Sequence, residues 1–111
     1  MCIRDRHAHF PQNIQLFIAR QTATLLAGAV VYDYGATVHT QYLATSKLGR
    51  QQHALDVLLH KLITERYANR DYFDFGKSTE HEGRYLNTNL IYQKEGFGGR
   101  TICCDTYEWT L

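Results

Sequence analysis

Ile14, Leu16 and Ile18 alternate with Gln15, Phe17 and Ala19, the period-two pattern of a strand over about residues 13–20. Thr22–Tyr34 is near-continuously apolar through Val30 and Val31 and predicts a second strand. Asp33-Tyr34-Gly35 then gives a hairpin signal, because glycine tolerates positive φ. An antiparallel partner is expected next. Residues 36–44 supply it, with Val38, Thr40 and Tyr42 alternating against Thr37, His39, Gln41 and Leu43. Three strands thus form a meander before any helix.

The period then changes. After a loop at residues 45–50, Ala54, Leu55, Leu58, Leu59, Leu62, Ile63 and Tyr67 recur every three or four positions, which predicts an amphipathic helix of about five turns. Asp56, His60, Lys61, Glu65 and Arg66 take its other face, and Asn69-Arg70-Asp71 ends it. Tyr72–Phe75 predicts a short buried strand that stops at a site, since Gly76 and Ser78 follow at once. From Glu80 onward, Leu86, Leu90, Ile91 and Lys94 fall at helical intervals. Ser78 or Thr79 is the expected N-cap, and Gly96 the left-handed residue that ends the helix, with Phe97 folding back onto its last turn. Residues 101–111 alternate Ile102, Cys104 and Thr106 with Cys103, Asp105 and Tyr107 and predict a last strand. The order strand, strand, strand, helix, strand, helix, strand belongs to an α/β (α+β) fold, a mixed and mostly antiparallel sheet with two helices.

Composition narrows this picture. With 111 residues, 44% hydrophobic and 21% charged, the chain makes one domain at most. A formal charge of +1 excludes the basic field of a DNA-binding protein. No apolar run reaches the length of a membrane span and no signal-peptide core is present, so the expected location is cytoplasmic. Residues 1–10 lack periodicity and are expected to be a disordered or non-native leader. Cys2, Cys103 and Cys104 form neither a disulfide framework nor a zinc spacing, and read as small strand hydrophobes. His7 and His9 have nothing nearby to complete a tetrahedral set, so no metal is expected.

The residues Leu90–Gly98 (LIYQKEGFG) are similar to the Tyr-x-x-x-Gly-Phe helix end of the GNAT acyltransferase superfamily, with Tyr92, Gly96 and Phe97 in the matching places. The element order resembles the same fold. FDFGKSTEHEG, with LN and QKEGFGGR after it, resembles the Fem-like branch, often found in bacterial cell-envelope and polysaccharide gene neighbourhoods. The resemblance covers about residues 14–109. It implies that residues 11–111 are a partial domain, lacking the family's N-terminal strand and helices.

The resemblance also implies chemistry. An acyl-coenzyme A co-substrate would lay its pantetheine between the strand ending near Ala44 and the strand Tyr72–Phe75. The thioester would sit near Leu43, whose backbone N–H would stabilise the tetrahedral oxyanion. The family's pyrophosphate loop is usually Arg/Gln-x-x-Gly-x-Gly/Ala, whereas this chain has SKLGRQQHA with Gly49 as its one glycine. Residues Lys47–Gln51 open onto a helix N-terminus that favours phosphate, Lys47 and Arg50 add charge, Gly49 permits close approach, and Gln51 completes the run. By motif position Tyr92 protonates the leaving thiolate; by spacing alone it is equally a core aromatic. Glu80, beside His81 and Glu82, is either a base for the amine or a carboxylate placed by the helix dipole. Asp74, if buried, needs a partner such as Arg84 or Lys77.

Three functions are compatible with these residues. The first is an N-acyltransferase that moves an acyl group from acyl-coenzyme A, acetyl-CoA for example, to a small-molecule or sugar amine. The second is a Fem-like aminoacyl or peptidyl transferase, which would need a basic surface for tRNA. The third is a non-catalytic scaffold; an exposed apolar face where the family's N-terminal helices would pack would favour it or a plain fragment.

Overall fold

The computed structural model describes residues 2–111. The fold is mixed α+β, and the chain divides into two compact units, Met1–Lys77 and Ser78–Leu111. In the first, β1 (Ile14–Gln21), β2 (Thr24–Asp33) and β3 (Thr37–Thr45) form the antiparallel meander. β4 (Tyr72–Asp74) adds to it parallel to β3, giving the order β1-β2-β3-β4. A parallel neighbour requires a crossover. α2 (Lys47–Gln51), α3 (Ala54–Lys61) and a π-helical turn over Leu62–Arg66 provide it.

Packing follows from the period of the crossover. α3 turns Ala54, Leu58 and Leu59 inward, and Leu62 continues that stripe; with Ala29, Val31 and Val38 of the sheet they form the core. Leu59, Val31 and Val38 are its largest fully buried side chains. Each contributes about 1.5–3 kcal/mol relative to an exposed position. Tyr67 closes one end, its ring edge-on to Phe17 at 6.0 Å and 6.5 Å from Phe73. The opposite sheet face is uncovered at Leu16 and Ile18 on β1, Tyr42 on β3 and Tyr72 on β4.

Two features set where β4 lies. Gly35 takes φ +90 at the β2–β3 turn, and its N–H donates to Asp33 Oδ1 at 2.8 Å. The other carboxylate oxygen of Asp33 accepts from Arg70 Nη2 at 2.8 Å, and Asp71 and Tyr72 N–H both reach the Ala36 carbonyl. The hairpin tip therefore anchors the start of β4.

The leader and the loop depart from expectation. Residues Ile3–His9 form α1 instead of lacking order, with Asp5 in its first turn, Arg6, His7 and His9 in its last, and Arg6 Nη1 donating to the Tyr32 hydroxyl at 3.2 Å. That charge arrangement complements the helix dipole, which an apolar-period search does not detect. Residues 47–51, read as loop, are helical as α2 because Ser46 caps them: its Oγ accepts from Gly49 N at 3.0 Å.

The second unit departs more. Thr79–Glu80 is a strand, β5, paired antiparallel with β6 (Tyr85–Leu86) across a 3-10 turn at His81–Gly83. Positive φ at His81, Glu82 and Gly83 rules out the helical start expected there. α4 (Thr88–Gly96) begins only after Asn87, whose Oδ1 accepts from Leu90 N at 3.0 Å. Gly96 is the last helical residue. The left-handed residue is Gly98 at φ +85, where Gly99 N reaches Lys94 O and Gly98 N reaches Glu95 O, a Schellman stop. Residues 101–111 form no strand, since no ladder partner meets them among the described residues, and Cys103 and Cys104 are exposed rather than packed in a sheet.

Candidate functional site

β3 and β4 pair through Thr37↔Tyr72, Val38↔Phe73 and His39↔Asp74, where β4 ends. Among the described residues no strand pairs with that edge of β3 from Thr40 to Thr45. The register assigns the backbone groups there. Ser46 N donates to Leu26 O at 2.9 Å, and the pairs Ala27↔Thr45, Gly28↔Ala44 and Ala29↔Leu43 follow without a shift. Hydrogen-bonded and non-hydrogen-bonded pairs alternate in an antiparallel ladder. Ala44 and Tyr42 therefore bond to β2, while the N–H and C=O of Leu43 and Thr45 point to the edge beyond the end of β4. Gln41 is the extra residue of a β-bulge between Thr40 and Tyr42, and it bends β3 just past the end of β4.

α2 stands at the end of this edge, fixed by a second bulge. The register steps from Ala19↔Ala27 to Arg20↔Leu25, so Leu26 is extra on β2. Its carbonyl accepts Ser46 N, Thr45 Oγ1 and Ser46 Oγ, the last two at 3.2 Å. Gly49 is buried against that carbonyl, so its lack of a side chain serves helix-on-strand packing. Lys47, Arg50 and Gln51 fall within about 100° of one another on the helix, opposite Gly49. All three are exposed. Ala44 and Leu43 are exposed as well, Leu43 at 39%. Of the six residues expected to meet the coenzyme, Leu43, Ala44, Lys47, Arg50 and Gln51 are exposed, whereas Gly49 is buried against Leu26 and gives no close approach to a ligand from outside.

At the end of β4, His39 and Asp74 meet. His39 Nδ1 lies 2.7 Å from Asp74 Oδ2. Asp74 Oδ1 accepts from Gly76 N at 2.7 Å, and Thr40 Oγ1 donates to the Asp74 carbonyl at 3.3 Å. A carboxylate only accepts, so Nδ1 carries the proton and Nε2 is the basic atom of the ring. Gly76 at φ +73 turns the chain away beside the imidazole, where a β-carbon would come 3.2 Å from His39 Cε1. The imidazole is 23% exposed.

The remaining expected residues lie in the second unit. Glu80 is exposed on β5, and its Oε1 accepts from Asn87 Nδ2 at 2.8 Å, so it braces the N-cap of α4. Tyr92 is 80% exposed on α4 and is not a core aromatic. Sequence reasoning passed over His39. The signal available was its place on the strand face that alternates with Val38 and Thr40, next to a strand bearing an acidic residue among aromatics. Among the described residues no three His, Cys, Asp or Glu side chains gather as metal ligands. No family model matches this chain, and no curated protein matches it.

Proposed function

We propose that the chain is part of an N-acyltransferase that takes its acyl group from acyl-coenzyme A and delivers it to an amine, in the manner of the GNAT superfamily and in cell-envelope or polysaccharide metabolism. The reading rests above all on one observation: the backbone N–H groups of Leu43 and Thr45 point away from β2, to the edge of β3 beyond the last residue of β4. Pantetheine carries two amides, and an extended chain of that kind pairs with an open strand edge as a peptide does. The Leu43 N–H then polarises the thioester carbonyl. The outward face of α2, with Lys47 and Arg50, supplies positive charge for the phosphates at the far end. On the motif match alone, Tyr92 is the proposed proton donor to the thiolate and Glu80 a proposed base for the amine.

A coenzyme thioester is favoured over an aminoacyl-tRNA as donor, because twelve Lys and Arg against eleven Asp and Glu give little support to RNA binding. A cytoplasmic location belongs to the same proposal. Among the described residues no helix is long and apolar enough to cross a membrane.

Thermal unfolding with and without acetyl-coenzyme A tests the reading. At a hundred times the dissociation constant, binding adds about 2.7 kcal/mol. In a domain of this size that raises Tm on the order of ten degrees. The shift is lost when Lys47 and Arg50 are both changed to Ala. A cooperatively unfolding chain whose Tm ignores the coenzyme contradicts the reading.

A further inference from the structure

We infer that the outer edge of β1 pairs antiparallel with the same strand of a second copy of this chain, joining the two sheets into one across a two-fold axis at Ile18. The inference stands apart from the acyltransferase reading and does not depend on it.

The hydrogen-bond pattern fixes what that edge offers. Among the described residues β1 has β2 on one side and no strand on the other. Asp33 N donates to Asn13 O at 2.7 Å, so by the alternation of an antiparallel ladder Gln15, Phe17 and Ala19 bond to β2, while Ile14, Leu16 and Ile18 turn their N–H and C=O outward. Gln21↔Thr24 closes a two-residue turn and Arg20 opposes Leu25 past the bulge, so Arg20 also faces outward. Ile14 N–H is already engaged, donating to the Phe10 carbonyl at 3.1 Å. The residues with both backbone groups left are Leu16, Ile18 and Arg20, evenly spaced about Ile18.

That spacing is self-complementary, which makes a second copy the occupant. An antiparallel copy centred on Ile18 sets Ile18 against Ile18 and Leu16 against Arg20 on both sides of the axis, and every N–H and C=O of these residues then has a partner. A register centred on Phe17 would set Arg20 against Ile14, whose N–H is engaged, and would leave the Arg20 carbonyl unpaired. The side chains agree with the first register. Leu16 and Ile18, 67% and 48% exposed on the uncovered face, gain apolar neighbours, Ile18 from its own copy and Leu16 from the aliphatic stem of Arg20. Charge does not oppose the pairing. Arg20 is the one charged residue of β1. The two Arg20 residues stand about 13 Å apart along the ladder, and salt screens them at that separation. Nothing guards the edge: Ile14–Ala19 contains neither proline nor charge, and the extra residue of the bulge, Leu26, lies on β2. The pairing is closed by its two-fold axis, and the open edge of β3 stays outside it.

Sedimentation equilibrium of the full chain from micromolar to millimolar concentration tests the inference. The mass rises from 12.9 kDa to twice that value and no further. Ile18→Lys sets two ammonium groups against each other at the axis and weakens the pair on the order of ten-fold or more, while the dilute chain keeps its cooperative thermal transition. Tyr42→Lys, on the same sheet face but two strands inward, leaves the pair intact. Amide exchange in the wild type gives a second readout that needs no variant. As concentration rises, the amides of Leu16, Ile18 and Arg20 slow, and those of Gln15, Phe17 and Ala19, already bonded to β2, do not change. The inference is overturned if the wild type keeps its single-chain mass throughout, or if the mass climbs past a pair. It is equally overturned if Tyr42→Lys dissociates the pair as Ile18→Lys does, which would mean that sheet faces stack, or if exchange slows alike at all positions from 15 to 20.

Discussion

A β-carbon on Gly49 would lie 2.0 Å from the Leu26 carbonyl oxygen and 2.7 Å from its carbon. Both atoms belong to strand backbone and cannot swing aside. Gly49→Ala is expected to push α2 off β2 and to cost about 1–3 kcal/mol, the range for overpacking a close contact. Urea unfolding should show a lower midpoint at unchanged slope. Coenzyme affinity should fall too, because Lys47, Arg50 and Gln51 move with the helix. A midpoint within error of wild type would mean that α2 is not held against Leu26.

Tyr67 makes a different prediction. Its ring is buried at 4% exposure, but its hydroxyl finds no hydrogen-bond partner among the described residues. Tyr67→Phe removes an orphan polar atom and should be neutral or stabilising, within about 1 kcal/mol. Tyr67→Ala empties the space between Phe17 and Phe73 and should cost about 3–5 kcal/mol. Burial pushes the phenol above its ordinary value of 10.0, and the positive charge of Arg66 near the hydroxyl opposes the shift. The unfolded phenol ionises near pH 10. The folded chain therefore holds the proton longer, and this contribution is whole below that pH and is lost as pH rises through the folded value. Alkaline titration of stability should drop more steeply in wild type than in Tyr67→Phe, and parallel curves would refute the burial argument.

In the second unit, Asn87 caps α4 while its amide nitrogen holds Glu80. Asn87→Ala should cost α4 about 1 kcal/mol. Amide exchange at Leu90 and Ile91 would accelerate roughly five-fold, as that free energy requires. Unchanged exchange at both positions would show that the cap does not hold the helix.

The strands of the first unit were legible because each bears its own period. The turn was legible in Gly35, whose φ of +90 is what the Asp-Tyr-Gly signal calls for. α2 was not, because five residues are too few to display a helical period, and its signal was Ser46 followed three residues on by the N–H it accepts. The start of α4 was misplaced because Glu80 and Glu82 look like first-turn carboxylates. Asn87, as good a cap as Ser78, marks the true start, and its side chain accepts from Leu90 N. His39 and Asp74 lie 35 positions apart, and only the parallel register of β3 and β4 brings them to 2.7 Å. Local pattern carries no information about that pairing. The six expected coenzyme contacts lie within nine consecutive residues and are close for a local reason, but the packing role of Gly49 appears only once Leu26 is placed beside it.

Backbone amide exchange along β3, with and without acetyl-coenzyme A, tests the central claim most directly. Leu43 and Thr45 point to the open edge and should exchange fast in the free protein and become protected by the coenzyme. Tyr42 and Ala44, already bonded to β2, should change little. That alternating response is expected if pantetheine lies along the edge of β3 beyond the end of β4. Uniform protection, or none in a folded chain shown to bind the coenzyme, would mean that the coenzyme lies elsewhere.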